Sequence, residues 1–373
     1  MTSQRIGRAR QLTISASDDV DEFLFDQGLT DGLPVVPPTP ARVERMLAQT
    51  RRDPLEEIGI LPPNLAPLTV EKTAINAVMA GCKAEYFPTV LAGVEAIADD
   101  SYGLHGSGAT TMGGAPVLIV NGPVRERIGI NSAQNALGQG NRANATIGRA
   151  VRLVIRNVAG HRPGGTERAT IGWPGKFTLC FGEWEERAPT WTPMHVERGF
   201  AAGDSVITAM TQSGGPTQLI DETSRTAKAL AGSIGLKVAG QQHPRIPSMG
   251  ELIVVISPEH YDTLAADGWT KDDVRRRIQQ VAARPLRDLL ESDQMGGFPK
   301  SALDSWPPFL PPLPIHNPDG SLRDDAMDVI MPKFGNDSMI TIVVAGGGAG
   351  KFTSILDPLA GQVSVSKKIE DPV

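Results

Sequence analysis

The chain has 373 residues, a formal net charge of −6 and only two cysteines; with 40% hydrophobic and 21% charged residues it has globular proportions, which excludes wholesale disorder. The acidic balance, with no basic block beyond Arg275-Arg276-Arg277, excludes a nucleic-acid partner. No apolar run approaches the ~18 residues of a membrane span, and Met1 to Arg10 leads into no apolar segment of the secretory type.

Cys82 and Cys180 lack CxxC spacing and read as reduced thiols of a cytoplasmic protein. Gly 40 and Pro 30 make up about 19% of the chain against an average near 12%, so many turns and shaped loops are expected, as in an enzyme scaffold.

In chain order, residues 1–17 read as a disordered lead and Asp18 to Phe25 as a short helix with Phe23, Leu24 and Phe25 inward. The prolines of Thr30 to Pro40 force extended backbone, and a helix restarts over Pro40 to Gln49. Thr69 is an N-cap for Val70 to Ala80, with Ile75, Val78 and Met79 as its stripe and Gly81 as its stop. Lys83 to Ala98, with Pro88 in or near the first turn, completes an expected N-terminal helical hairpin.

Three β-branched runs, Ala115–Val120, Glu251–Ile256 and Met339–Val344, each close on Gly or Pro. That is the pattern of central strands buried on both faces. Phe177 to Phe181 and Ser205 to Met210 are further strands; Asn144 to Val158, Asp221 to Ile234 and Thr270 to Ala283 are helices between them. The expected fold is α/β: a mixed, largely parallel sheet with helices on both faces, preceded by the helical hairpin. The expected organisation is a helical region over 1–100, an α/β core over 101–293, and a Pro-rich wrap with a last strand over 294–373. Trp306 to Pro314 can be neither helix nor central strand.

Three segments carry candidate chemistry. Residues 131–149 are dense in amides. Gly138 and Gly140 let backbone approach a ligand, Asn141 or Asn144 can cap the following helix, and Arg142 sits near its positive end. Asn131, Asn135, Asn141, Arg142 and Asn144 are therefore candidates for binding an anion or carboxylate; the alternative is an ordinary capped helix after a turn. Lys176 lies ahead of Cys180, and the strand through Cys180 delivers Glu183, Glu185 and Glu186 beside Trp184. Two carboxylates on one face, next to an indole, suit a general acid/base; the alternative is a solvated turn.

The third segment is Thr341 to Thr353, a glycine nest with Lys351. Ala345 and Phe352 break the Walker pattern, so a P-loop is excluded and a carboxylate or phosphate contact remains. His105, in a glycine-rich loop before a strand, and Cys180 complete the catalytic candidates. No HExxH, paired metal spacing or strand-borne GxGxxG occurs, so neither a metal nor a cofactor is expected. The Cys180–Glu186 strand end, the His105 loop and the Asn131–Asn144 loop are expected to converge on one pocket.

Asp31 to Thr39, Ala74 to Cys82, Ser257 to His260 with Asp267 to Lys271, and Val343 to Gly347 resemble a poorly characterised bacterial family associated with small UGSC-type (seleno)proteins. The Sec/Cys-Gly-Ser-Cys motif itself is absent, and the resemblance implies no assigned activity. Together these features point to a small-molecule enzyme, a hydrolase or lyase using acid/base chemistry on an anionic or amide-containing substrate. An accessory subunit of a thiol/selenol redox system and a non-catalytic binding protein are the alternatives. The expected partners are a small-molecule substrate and further copies of the chain, with no nucleic acid and no membrane.

Overall fold

The computed structural model describes residues 9–15, 17–304, 315–371 and 373. Residues 1–8 and 16 of the expected 1–17 lead and the Trp306–Pro314 stretch lie outside the described residues. The chain divides into two compact units. The first holds residues up to Gly215 together with Val343–Gly348 and Gln362–Val373; the second holds Pro216–Ile342 and Ala349–Gly361.

The first unit opens with α1 (Val20–Asp26), capped by the Asp19 carboxylate, in which only Leu24 is fully buried. The helix α2 (Pro40–Leu47) follows the extended stretch, with Pro40 in its first turn. A short antiparallel pair, β1 (Glu57–Leu61) and β2 (Ala66–Thr69), leads into α3 (Val70–Met79). Thr69 caps α3 through a bond from Lys72 N to its hydroxyl (3.2 Å), and Gly81 beyond its end takes φ +88°.

Pro88 starts rather than kinks the next helix, α4 (Phe87–Ala98). Nearly every residue of α4 is buried, so it lacks the polar face of a free-standing hairpin. It packs with α3 and with α7 (Arg142–Val154) in one core that also takes Leu118, Val120, Ile207 and Ala209 from the strands. The helices α3 and α4 thus belong to the core rather than standing ahead of it. Between them and α7 lie the short α5 (Leu104–Gly108) and α6 (Val124–Ile128).

The strand β3 (Ala115–Asn121) is buried along its whole length. It pairs in parallel with β4 (Cys180–Gly182) and antiparallel with β5 (Val206–Ile220), in a register from Ala115↔Gln212 to Asn121↔Val206. The short α8 (Met194–Glu197) sits between β4 and β5 in sequence. The last strand, β11 (Val365–Lys368), lies antiparallel on β5.

The second unit packs α9 (Ala227–Ala239) with α10 (Pro258–Ala266) and α11 (Lys271–Ala282). A capping box between Thr270 and Asp273 starts α11. The strand β6 (Leu252–Ile256) pairs antiparallel with β10 (Phe352–Pro358). A two-residue ladder of β7 (Arg284–Pro285) and β8 (Ile330–Met331) closes over a small apolar cluster that includes Phe298, Ala302 and Ile315. Both flanks of the proline segment are therefore anchored.

The seven-stranded path runs β4-β3-β5-β10-β6-β9, where β9 is Ile340–Val344 and β11 joins at β5. The architecture is mixed α/β. Parallel pairing does not dominate: β3–β5, β6–β10 and β5–β11 are all antiparallel. Continuous apolar runs report burial of both faces, and antiparallel strands covered on both sides give the same pattern as parallel ones. Nor is β9 central. It ends the path, yet all five residues are buried. Side chains of α11 cover the adjoining backbone: Arg275 Nε donates to Ile340 O (2.9 Å), and Gln279 exchanges bonds with Phe334 N and O. No helix among the described residues is long and apolar enough to cross a membrane.

Candidate functional site

The carboxyl end of β3 is polar where the rest of the strand is apolar. Asn121, its last residue, is fully buried. The Asn121 Nδ2 donates to Glu183 Oε2 (2.7 Å) and Glu185 Oε1 (3.0 Å), so one amide bridges two carboxylates. Period-two alternation does not bring them together, because β4 ends at Gly182 and residues 185–187 form a 3₁₀ turn. Met194 N at the start of α8 donates to Glu183 Oε2 (2.7 Å), and Gly122 N donates to Glu185 Oε1 (2.8 Å).

Arg125 on α6 supplies the counter-charge. Its Nη1 donates to Glu183 O (2.7 Å), its Nη2 pairs with Glu186 (2.6 Å), and its Nε lies 3.2 Å from Glu185 Oε1. Burial works against the Arg125 charge, but its bond to Glu186 and the fields of Glu185, Glu186 and Glu183 hold its pKa above the ordinary value. The Arg125 bond in turn lowers the Glu186 pKa.

The network's sixth side chain is His195, which is fully buried. Its Nε2 lies 3.4 Å from Ala202 O, and a carbonyl only accepts, so Nε2 carries the hydrogen. Its Nδ1 has no hydrogen-bond partner and lies 3.9 Å from Glu185 Oε1. Asn121 Oδ1 is also buried without a partner. An N–H or O–H donor seated about 2.8 Å from Nδ1 would satisfy it. Three carboxylates thus gather around one guanidinium and one imidazole, a polar site at strand carboxyl ends.

The amide-rich loop adjoins this network through Gly182 N, which donates to Asn131 O (3.2 Å). Its amides hold the loop itself. Asn141 caps α7 by accepting from Asn144 N (2.9 Å) and donating to Gly129 O (2.9 Å). The buried Asn144 accepts from Asn131 N (2.8 Å) and donates to the carbonyls of Asn131 and Ala136. Asn131 donates to Gln134 O and Asn135 to Gln139 O, while Arg142, on the surface, donates to Gly81 O (3.0 Å). The glycine nest after β9 touches the same loop, with Gly346 N donating to Ser132 O (2.9 Å). Lys351 belongs to the second unit, where its carbonyl accepts from Asp221 N (3.2 Å).

His105 and Lys176 lie elsewhere. Lys176 Nζ donates to Gly114 O at the amino end of β3 (2.9 Å), and His105, exposed on α5, acts electrostatically on His161. A seven-residue strand separates its ends by about 20 Å. The expected single pocket therefore divides, with Glu183 and the Asn131 loop at one end of β3 and Lys176 and the His105 loop at the other.

Both thiols are free and buried. Burial pushes Cys82 up to about 12 despite its bond to Thr146 O, and burial raises Cys180 as well. Neither is a thiolate nucleophile at neutral pH. Among the described residues no group of three or more His, Cys, Asp or Glu side chains is placed to hold a metal ion. Sequence reasoning passed over Asn121, Arg125 and His195. Asn121 carried a signal: an amide closing an apolar strand just before Gly122-Pro123 marks the strand end where ligands gather. No family model, curated protein or solved structure matches the chain.

Proposed function

We propose that the protein is a small-molecule hydrolase or lyase that works by acid/base chemistry on an amide-containing substrate at the carboxyl ends of β3 and β4. The observation that carries this reading is the unpartnered, fully buried pair of His195 Nδ1 and Asn121 Oδ1 beside Glu185. Both are acceptors in the tautomer that Ala202 selects, and a substrate amide offers the matching N–H donors. Glu185, which reaches the surface with 13% of its side chain exposed, is the group that gives or takes the proton. Asn121 and Gly122 N fix its Oε1; Arg125 holds the local charge; Glu183 anchors α8 from beneath. The reading places the enzyme in the cytoplasm, a reducing compartment that suits two free cysteines.

The test is ammonia or amine release from a panel of small amides, by the natural chain and by Glu185→Gln. The exchange preserves shape and removes the ionisable group, so turnover falls by roughly 100-fold or more while the melting temperature changes little. A panel that yields no turnover, or a variant with near-natural turnover, overturns the assignment.

A further inference from the structure

A second polar cluster occupies the opposite, amino end of β3, and the proposed chemistry makes no use of it. Arg152 on α7 donates from Nε to Lys176 O (2.8 Å) and lies 3.4 Å from Glu167 Oε2 through Nη2. Lys176 Nζ lies 3.0 Å from Glu167 Oε1. Two cations therefore share one carboxylate. A third, Arg156, follows one turn later, where α7 gives way to a π-helical turn over Ile155–Ala159. Its Nε is buried without a hydrogen-bond partner, and the nearby Asp31 is already held by the Arg149 fork. Burial depresses the pKa of Arg152, Arg156 and Lys176 alike, the cost of charge in excess of its counter-ions.

Uncharged donors face the same place. Tyr102 and Thr211 are 0% and 4% exposed, and apart from each other their hydroxyls have no hydrogen-bond partner. The phenol has Thr211 as a polar neighbour and feels the Arg152 charge; burial pushes it up to about 12, so it stays a donor. His161, buried beside Arg152 and Glu167, donates from Nε2 to Pro62 O (2.9 Å), which leaves Nδ1 an unpartnered acceptor that adds nothing to the holding of an anion. Gly108 packs against that nitrogen so closely that a Cβ there would lie 1.5 Å from it. The loops above are joined by Thr170 N to Thr111 O (2.9 Å) and by Trp173 Nε1 to Gly113 O (2.6 Å).

Unpaired buried hydroxyls are costly unless something accepts from them, and an excess of buried cations is costly unless something neutralises it. One ligand answers both. We propose that this cluster is a second small-molecule site, which takes a small oxyanion, a carboxylate or phosphate group, between Arg152 and Lys176 with the Tyr102 and Thr211 hydroxyls donating to it. The site stands about 20 Å from Glu185 along β3, so it does not depend on the acid/base reading.

The experiment is thermal unfolding and titration calorimetry of the full chain with sodium phosphate and with sodium acetate, each against sodium chloride at equal ionic strength. A bound anion raises the unfolding midpoint in proportion to its affinity. The expected result is a rise with at least one of the two, the arms separating a tetrahedral from a planar ligand. Tyr102→Phe keeps the ring and removes the donor, so it weakens binding by about tenfold, and Lys176→Met weakens it further. If Lys176→Met does not fold, Tyr102→Phe decides. Glu185→Gln binds as the natural chain does, which keeps this site separate from the catalytic one. No shift with either anion, or equal binding by Tyr102→Phe, overturns the proposal.

Discussion

Lys333 is 5% exposed, and its ammonium donates to the carbonyls of Gln241 (3.0 Å), His243 (2.7 Å) and Ile246 (2.8 Å). Burial pushes its pKa from 10.5 down to about 8, with Asp357 acting in the opposite direction. A depressed lysine means that the unfolded chain binds more protons than the native one between these values, so stability rises with pH there. At about 1.4 kcal/mol per unit, carrying the charge into the fold costs about 3 kcal/mol at pH 7. Roughly 2 kcal/mol of that is recovered by pH 9.5.

The perturbation is Lys333→Met, which keeps the stem and removes the titration. The variant loses donors to three buried carbonyls, so it is the less stable protein at any pH, but that deficit does not titrate. Urea unfolding of both proteins between pH 7 and 9.5 isolates the Lys333 contribution as the natural-minus-variant difference. That difference should widen by about 2 kcal/mol as pH rises. A flat difference, or one that narrows, refutes the reasoning.

Neither Cys82 nor Cys180 should react with a thiol reagent in the native state, and both should react within minutes in urea; fast native labelling of either would show that burial does not protect it. Arg149 grips Asp31 with two nitrogens and also donates to Leu33 O and Pro34 O, so Arg149→Lys should lose about 2 kcal/mol and speed proteolytic cleavage between Thr30 and Pro40. Unchanged cleavage would show that the proline stretch holds itself.

What the chain made legible is what local chemistry decides. Thr69, Asn141 and Thr270 cap helices because a hydroxyl or amide there reaches a backbone N–H three residues on. The apolar runs at 115, 251 and 339 form strands within a residue of their expected limits, because β-branched side chains need burial on both faces. The direction of pairing was not legible, since it depends on how the connections return. Nor was the length of β5. The strand expected over Ser205 to Met210 runs on through Ser213-Gly214-Gly215-Pro216 to Ile220. Burial along its last residues, Pro216 to Ile220, alternates between exposed and half-buried, the pattern of a strand with one covered face.

The site is legible only in part, for a reason of distance along the chain. Glu183 and Glu185 stood out as a carboxylate cluster, but what joins them into one network is Asn121, sixty-two residues before Glu183. Arg125 and His195 enter only because β3 and β4 run parallel and place Gly122 and Glu183 at one end. The dense amides of residues 131–144 carried the opposite lesson. Their number reflects the backbone groups of a long loop, each of which needs a partner once buried. Polar density in a loop therefore does not separate a ligand site from a self-supporting turn.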